Sequence, residues 1–78
     1  MNKIEELSMG DYGRIQGLAK GAPAYRQKLL SMGLTPGTVF RLIRVAPLGD
    51  PFEIEVRGYS LSLRKDESTQ LIIEKIIP

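Results

Sequence analysis

The sequence predicts a small, mainly β fold with one short helix: a compact barrel of five to six short strands, with the helix inserted after the first. Three observations carry that expectation. Glycine and proline supply 8 and 5 of the 78 residues, and they cut the chain into pieces too short for a helical bundle. Two stretches, Phe52–Val56 and Tyr59–Leu63, alternate apolar and polar residues at the period of a strand. One longer stretch, residues 23–32, carries the start and stop signals of a helix. No linker, repeat or low-complexity segment divides the chain, so residues 1–78 are expected to form a single domain.

The elements follow in order. Residues 10–13 read as a turn between glycines, feeding a weak first strand at 14–19 that Gly17 interrupts. Pro23 suits the first helical position, where its missing N–H is not needed. Gly33 follows the last turn and can take the left-handed cap, with Leu34 folding back on the helix. Pro36 and Gly37 occupy the two centres of a type II turn. Residues 38–46 form the second strand. Arg41 and Arg44 cannot both face solvent on a regular strand, so a bulge is expected between them. Phe52, Ile54 and Val56 point inward on the third strand. Arg57 and Gly58 make a two-residue hairpin turn, and Tyr59, Leu61 and Leu63 are the inward set of the fourth strand. Residues 65–69 read as one helical turn before a last strand at 71–77. Five short strands with a turn of helix before the fifth give an SH3-like barrel.

Composition excludes several function classes. The chain has no Cys and no His. Disulfides are thereby excluded, and so are the imidazole and thiolate ligands that first-row transition metals prefer. Asp50, Glu53 and Glu55 could offer oxygens to a hard cation, but Glu53 and Glu55 read as the solvated face of a strand. No cofactor is expected. The two glutamates lie on an exposed hairpin rather than in a cleft, so no enzyme is expected either. Glu5 and Glu6 stand where a signal peptide needs apolar residues, and no apolar run is long enough to span a bilayer. The reading is a cytoplasmic domain without membrane insertion. The pI of about 9.2 reflects only a net charge of +2 in a chain with nothing to titrate near neutrality.

Two segments invite a contact function. On the helix, Tyr25, Leu29 and Met32 share one face, while Leu30 lies off it beside Arg26. Either the whole set is a broad core stripe with Arg26 reaching out to water, or Leu30 and Arg26 face a partner. In the loop APLGDP, Leu48 sits between Pro47 and Pro51, with Gly49 permitting an unusual turn and Asp50 able to cap it. It is either a structural turn or a rigid presentation of Leu48, Gly49 and Asp50 to a partner. A competing reading comes from MGDYGRI, which resembles the opening of the KOW motif of nucleic-acid and ribosome-binding SH3-like domains. Arg14, Arg26, Lys28, Arg41 and Arg44 would then be the basic patch. The mixing of those cations with acids argues for no nucleic acid as partner. A third alternative is a weak transition-metal-sensing domain.

The segments YRQKLLSMGLTPGTVF, RVAPLGDPFEIEVRGYSLSLRK and LIIEKI resemble the FeoA family, small cytosolic accessory proteins of bacterial ferrous-iron uptake. The resemblance covers the chain from about Leu7 onward. It rests on Leu30, Met32, Gly33, Pro36, Gly37, Pro47, Leu48, Gly49, Asp50, Pro51, Gly58, Leu61, Leu63 and Arg64. It implies an SH3-like barrel and a role beside FeoB, a membrane permease with a cytosolic G domain. Gly33, Pro36, Gly37, Pro47, Pro51 and Gly58 are then the turns that shape the fold. Arg26, Leu30, Leu48, Gly49 and Asp50 are the expected contact residues.

Overall fold

The computed structural model describes residues 3–19 and 23–77. Strands β1 (Tyr12–Leu18), β2 (Val39–Val45), β3 (Phe52–Val56), β4 (Tyr59–Leu63) and β5 (Leu71–Ile76) form one antiparallel sheet, in the order β4-β3-β2-β1-β5. Helix α1 (Pro23–Ser31) follows β1, and the four-residue α2 (Lys65–Ser68) precedes β5. The strand count is five, and the helix is inserted where the sequence places it. The barrel is not closed: β4 and β5 are the two edges of the sheet, and no ladder joins them. Helices stand at this opening instead. Tyr59, the first residue of β4, donates its hydroxyl to the Met32 carbonyl at 3.2 Å, and Lys28 of α1 pairs with Glu67 of α2.

One hydrophobic cluster joins all five strands to α1. It contains Ile15, Leu29, Leu34, Phe40, Leu42, Phe52, Ile54, Val56, Leu63, Leu71 and Ile73, with Ile4 and Leu7 added from the N-terminal segment. Ile4 lies in a 3-10 turn, Ile4–Glu6, that sequence periodicity does not reveal. A single turn is too short to show a period.

Two irregularities let the sheet bend. Between Leu42 and Arg44 the β2–β3 register shifts, leaving Ile43 as the extra residue. Arg41 and Arg44 therefore both face solvent, as the sequence requires. A second shift lies between Ile15 and Gly17, where β1 pairs with β5.

The expected turn at residues 10–13 is only partly correct. Gly10 turns the chain at a φ of +90°, but Gly13 lies inside β1 opposite Phe40. The Phe40 ring fills the space of a side chain there, since a Cβ on Gly13 would meet its Cζ at 2.7 Å. Close approach, not turning, is the reason for that glycine. Tyr59 is also corrected. It is 45% exposed rather than part of the inward set, because it closes the hairpin and covers the end of α1. Several boundaries shift: the first strand runs Tyr12–Leu18 and so starts two residues earlier than expected, while the helix ends at Ser31, the second strand starts at Val39, and the last strand stops at Ile76.

Candidate functional site

Helix α1 settles the first ambiguity of the sequence. Leu29 is completely buried, and Met32 packs against the same core. Tyr25 is half-buried, Arg26 is exposed, and Leu30 is 36% exposed. The helix thus docks along Tyr25, Leu29 and Met32 and turns Arg26 and Leu30 outward. Its end is fixed by a double cap. Gly33, at a φ of +88°, donates its N–H to the Leu30 carbonyl at 3.0 Å, and Leu34 donates to the Leu29 carbonyl at 3.1 Å. This is the Schellman pattern, and the buried pair Leu29 and Leu34 supplies its apolar contact. The next turn follows at once: Gly37 has a φ of +91°, and Thr38 donates to the Thr35 carbonyl at 3.1 Å.

The loop between β2 and β3 is built as tightly. Gly49 donates to the Ala46 carbonyl at 2.7 Å, which makes Pro47 and Leu48 the centres of a turn. Ala46 donates to the Pro51 carbonyl at 3.1 Å, and the Asp50–Pro51 peptide is cis. Leu48, at the tip, is 96% exposed. Asp50 does not cap its own turn as expected. Its Oδ1 accepts the backbone N–H of Lys65 at 3.1 Å, satisfying one of the donors left free at the start of α2.

Helix α2 joins the two contact segments. Its Glu67 is buried, yet its carboxylate is fully partnered: Oε1 accepts the Arg64 N–H at 2.9 Å, and Oε2 pairs with the Lys28 ammonium. Burial alone would raise the Glu67 pKa. The Lys28 contacts, the Arg64 N–H and the Arg64 guanidinium outweigh it and hold the carboxyl below its ordinary value. The Leu48 loop is thus tied through Asp50 to the start of α2, and the same short helix is tied through Glu67 to Lys28 of α1. Sequence reasoning missed Glu67. The only local signal is a glutamate three residues after Arg64, at the position from which it can reach back to cap a helix start.

Three cations of the competing nucleic-acid reading are engaged by acids. Arg14 pairs with Glu74 at 2.9 Å, Arg44 with Glu53 at 3.1 Å, and Lys28 with Glu67. Arg41 lies in register between Tyr12 and Glu55 on the open face of the sheet. Elsewhere Asp11 accepts the Ser8 N–H at 2.8 Å and pairs with Lys75, which together hold its carboxyl below the usual range despite a counteracting desolvation. Among the described residues, no three acidic side chains converge. Nor is any helix among them long and apolar enough to cross a membrane.

Comparison with known proteins places this arrangement. The FeoA domain model matches residues 3–75. The chain is 30% identical over 74 residues to an Fe(2+) transport protein A/Fe(2+) transporter FeoB fusion protein of Porphyromonas gingivalis, a match spanning 95% of this chain and 9% of that protein. An FeoA-like protein from Clostridium acetobutylicum superposes with a TM-score of 0.86 at 32% identity, covering 100% of this chain and 93% of the other. Stenotrophomonas maltophilia FeoA, complexed with zinc, is described as a procaryotic SH3 domain protein and suggested as a ferrous iron transport activating factor. It superposes with a TM-score of 0.80 at 19% identity, over 95% of this chain and 91% of its own, and extends the likeness of fold.

Proposed function

Since this chain belongs to the FeoA domain family, we propose that it is a non-enzymatic accessory module of bacterial ferrous-iron transport that binds the cytosolic part of a FeoB-type permease. The observation that carries the reading is Leu48, 96% exposed on a loop closed by its own backbone and tied to α2. A lone exposed leucine needs no explanation. A leucine held at the tip of a proline-bounded, hydrogen-bonded loop does, because the loop is ordered before any partner arrives. The ordering entropy that a flexible loop would lose on binding is then largely spent in folding. Leu30 and Arg26 extend the surface from α1, and the Asp50–Lys65 and Glu67–Lys28 links hold the loop and helix in register.

The fusion of the two proteins in the Porphyromonas gingivalis relative supports a permease as partner, since the two are joined there in one chain. The module acts by contact. Asp50, Glu53 and Glu67 are engaged in ion pairs or a cap, and the chain has neither thiol nor imidazole to carry chemistry.

The test is complementation of ferrous-iron uptake in cells lacking the native protein, using Leu48→Ala, Leu30→Ala and Arg26→Ala. Each variant should keep its melting free energy within about 0.5 kcal/mol, as surface substitutions do, while uptake falls. Unimpaired uptake in all three would refute the surface.

A further inference from the structure

The loop that presents Leu48 also borders an apolar cavity. Beside the loop, Arg44, Val45, Ala46, Pro47, Pro51 and Glu53 line an open-sided cavity of about 290 Å³. Its walls are mostly aliphatic and proline carbon, and Arg44 and Glu53 stand at its rim in an ion pair of 3.1 Å. An apolar cavity of about 150 Å³ already accommodates a benzene ring, so this one is ample for a leucine side chain. Leu48 is not among its lining residues and is almost fully exposed. Knob and hole thus lie side by side on one rigid hairpin end. Side-by-side knob and hole is the requirement for an isologous contact, in which each copy gives what it receives.

We propose that two copies of this chain associate through a two-fold pairing of their β2–β3 hairpin ends, each Leu48 entering the other copy's cavity. Charge favours an identical copy as occupant. The rim holds one cation and one anion, so a two-fold approach sets Arg44 of each copy against Glu53 of the other. No like charges are forced together. The contact covers only hairpin tips, well below the roughly 1,000 Å² expected of a stable interface. It is therefore weak, with a dissociation constant on the order of 10⁻⁴ to 10⁻³ M. Because it buries Leu48, it withholds that residue from any other partner and is displaced by a tighter one.

A dilution series of isotopically labelled protein, read by amide shifts and translational diffusion, tests this without any permease. It therefore fails or succeeds independently of the transport reading. Concentration should move the amides of Val45, Ala46, Leu48, Gly49 and Glu53 and slow diffusion, and Leu48→Ser should abolish both effects. Charge reversal gives the sharper result. Arg44→Glu leaves an all-acidic rim and Glu53→Arg an all-basic one, so each variant should associate less with itself than the parent does. An equimolar mixture of the two should associate at least about tenfold more tightly than either alone. Diffusion that stays monomeric up to millimolar protein would overturn the proposal. So would concentration-dependent shifts confined to the sheet edges at Tyr59–Leu63 or Leu71–Ile76, or a mixture no tighter than its components.

Discussion

Strand β3 ends in two turns built on different principles. At its C-terminal end, Arg57 and Gly58 reverse the chain in the minimum of two residues, both at positive φ (51° and 85°), with Val56 and Tyr59 paired directly across. This geometry matches the natural twist of the strands, and the turn stays against the body of the fold, where the Arg57 guanidinium reaches the Thr38 hydroxyl at 3.5 Å. At the N-terminal end the chain takes the longer 46–51 loop, spends two prolines on it, and places an almost fully exposed leucine at the tip. It then fastens the loop to α2 through Asp50. Each end joins β3 to a neighbouring antiparallel strand of the same sheet, a task two residues can perform, so the reversal itself does not require the longer loop. Structure without evident structural need is where a contact function is best sought.

The same contrast appears within α1, and there the effect should be largest. Leu29 and Leu30 are neighbours, one completely buried and one on the surface. Leu29→Ala should lose about 2–5 kcal/mol, as buried leucines do. Leu30→Ala should lose far less while still lowering uptake. Comparable thermal unfolding curves for the two would break the division between docking and contact faces.

Gly33→Ala ranks next. It forces a side chain into the left-handed region at a cost of about 1–2 kcal/mol. The new Cβ would also meet the Tyr59 hydroxyl at 3.3 Å. Stability and uptake should fall together, unlike at Leu48, where only uptake should fall.

Glu67→Gln should cost about 1 kcal/mol, a charged hydrogen bond discounted because Lys28 is more than half exposed. Its signature is pH dependence. The folded-state pKa of Glu67 lies below its ordinary value of 4.5. The stabilisation is therefore fully present above about 4.5 and drains away as pH falls below it. Denaturant unfolding at pH 7 should separate parent from variant, and the gap should narrow in acid. A gap that is constant with pH would mean that Glu67 acts by packing alone.

The smallest effect has the opposite sign. Arg57 is the only non-glycine residue at positive φ among those described. Arg57→Asn should stabilise the hairpin by about 0.5 kcal/mol, because asparagine tolerates that region better. A loss of stability would show that the Arg57 side chain matters more than its backbone.

Much of this was legible in the sequence, because the relevant signals are local. The Schellman cap at Gly33, the turn at Pro36 and Gly37, the hairpin at Gly58 and the alternation of β3 each depend on residues within a few positions. The bulge at Ile43 was deducible because two arginines could not otherwise both reach water. What escaped depends on distant partners. Gly13 reads as a turn until Phe40 is brought over it, and Tyr59 reads as core until the end of α1 is laid against it. The open seam escaped because alternation within a strand does not reveal whether two edges meet. Glu67 is an unremarked acid in a short turn until Lys28, far away in sequence, closes on it. Asp50 had the right chemistry, an acceptor for a free N–H, but the donor lies on another element.

The central claim is that the protein meets its permease through the Leu48 end of β3 and not through the Arg57 end. It is tested most directly by titrating the cytosolic part of a FeoB-type permease into isotopically labelled protein, parent and Leu48→Ala, at concentrations where self-association is negligible. The account predicts amide shifts at Leu48, Gly49, Asp50 and Leu30. It also predicts at least about tenfold weaker binding by the variant, or about 1.4 kcal/mol, at an unchanged melting temperature. Equal affinity for the two proteins, or shifts centred on Arg57 and Gly58, would contradict it.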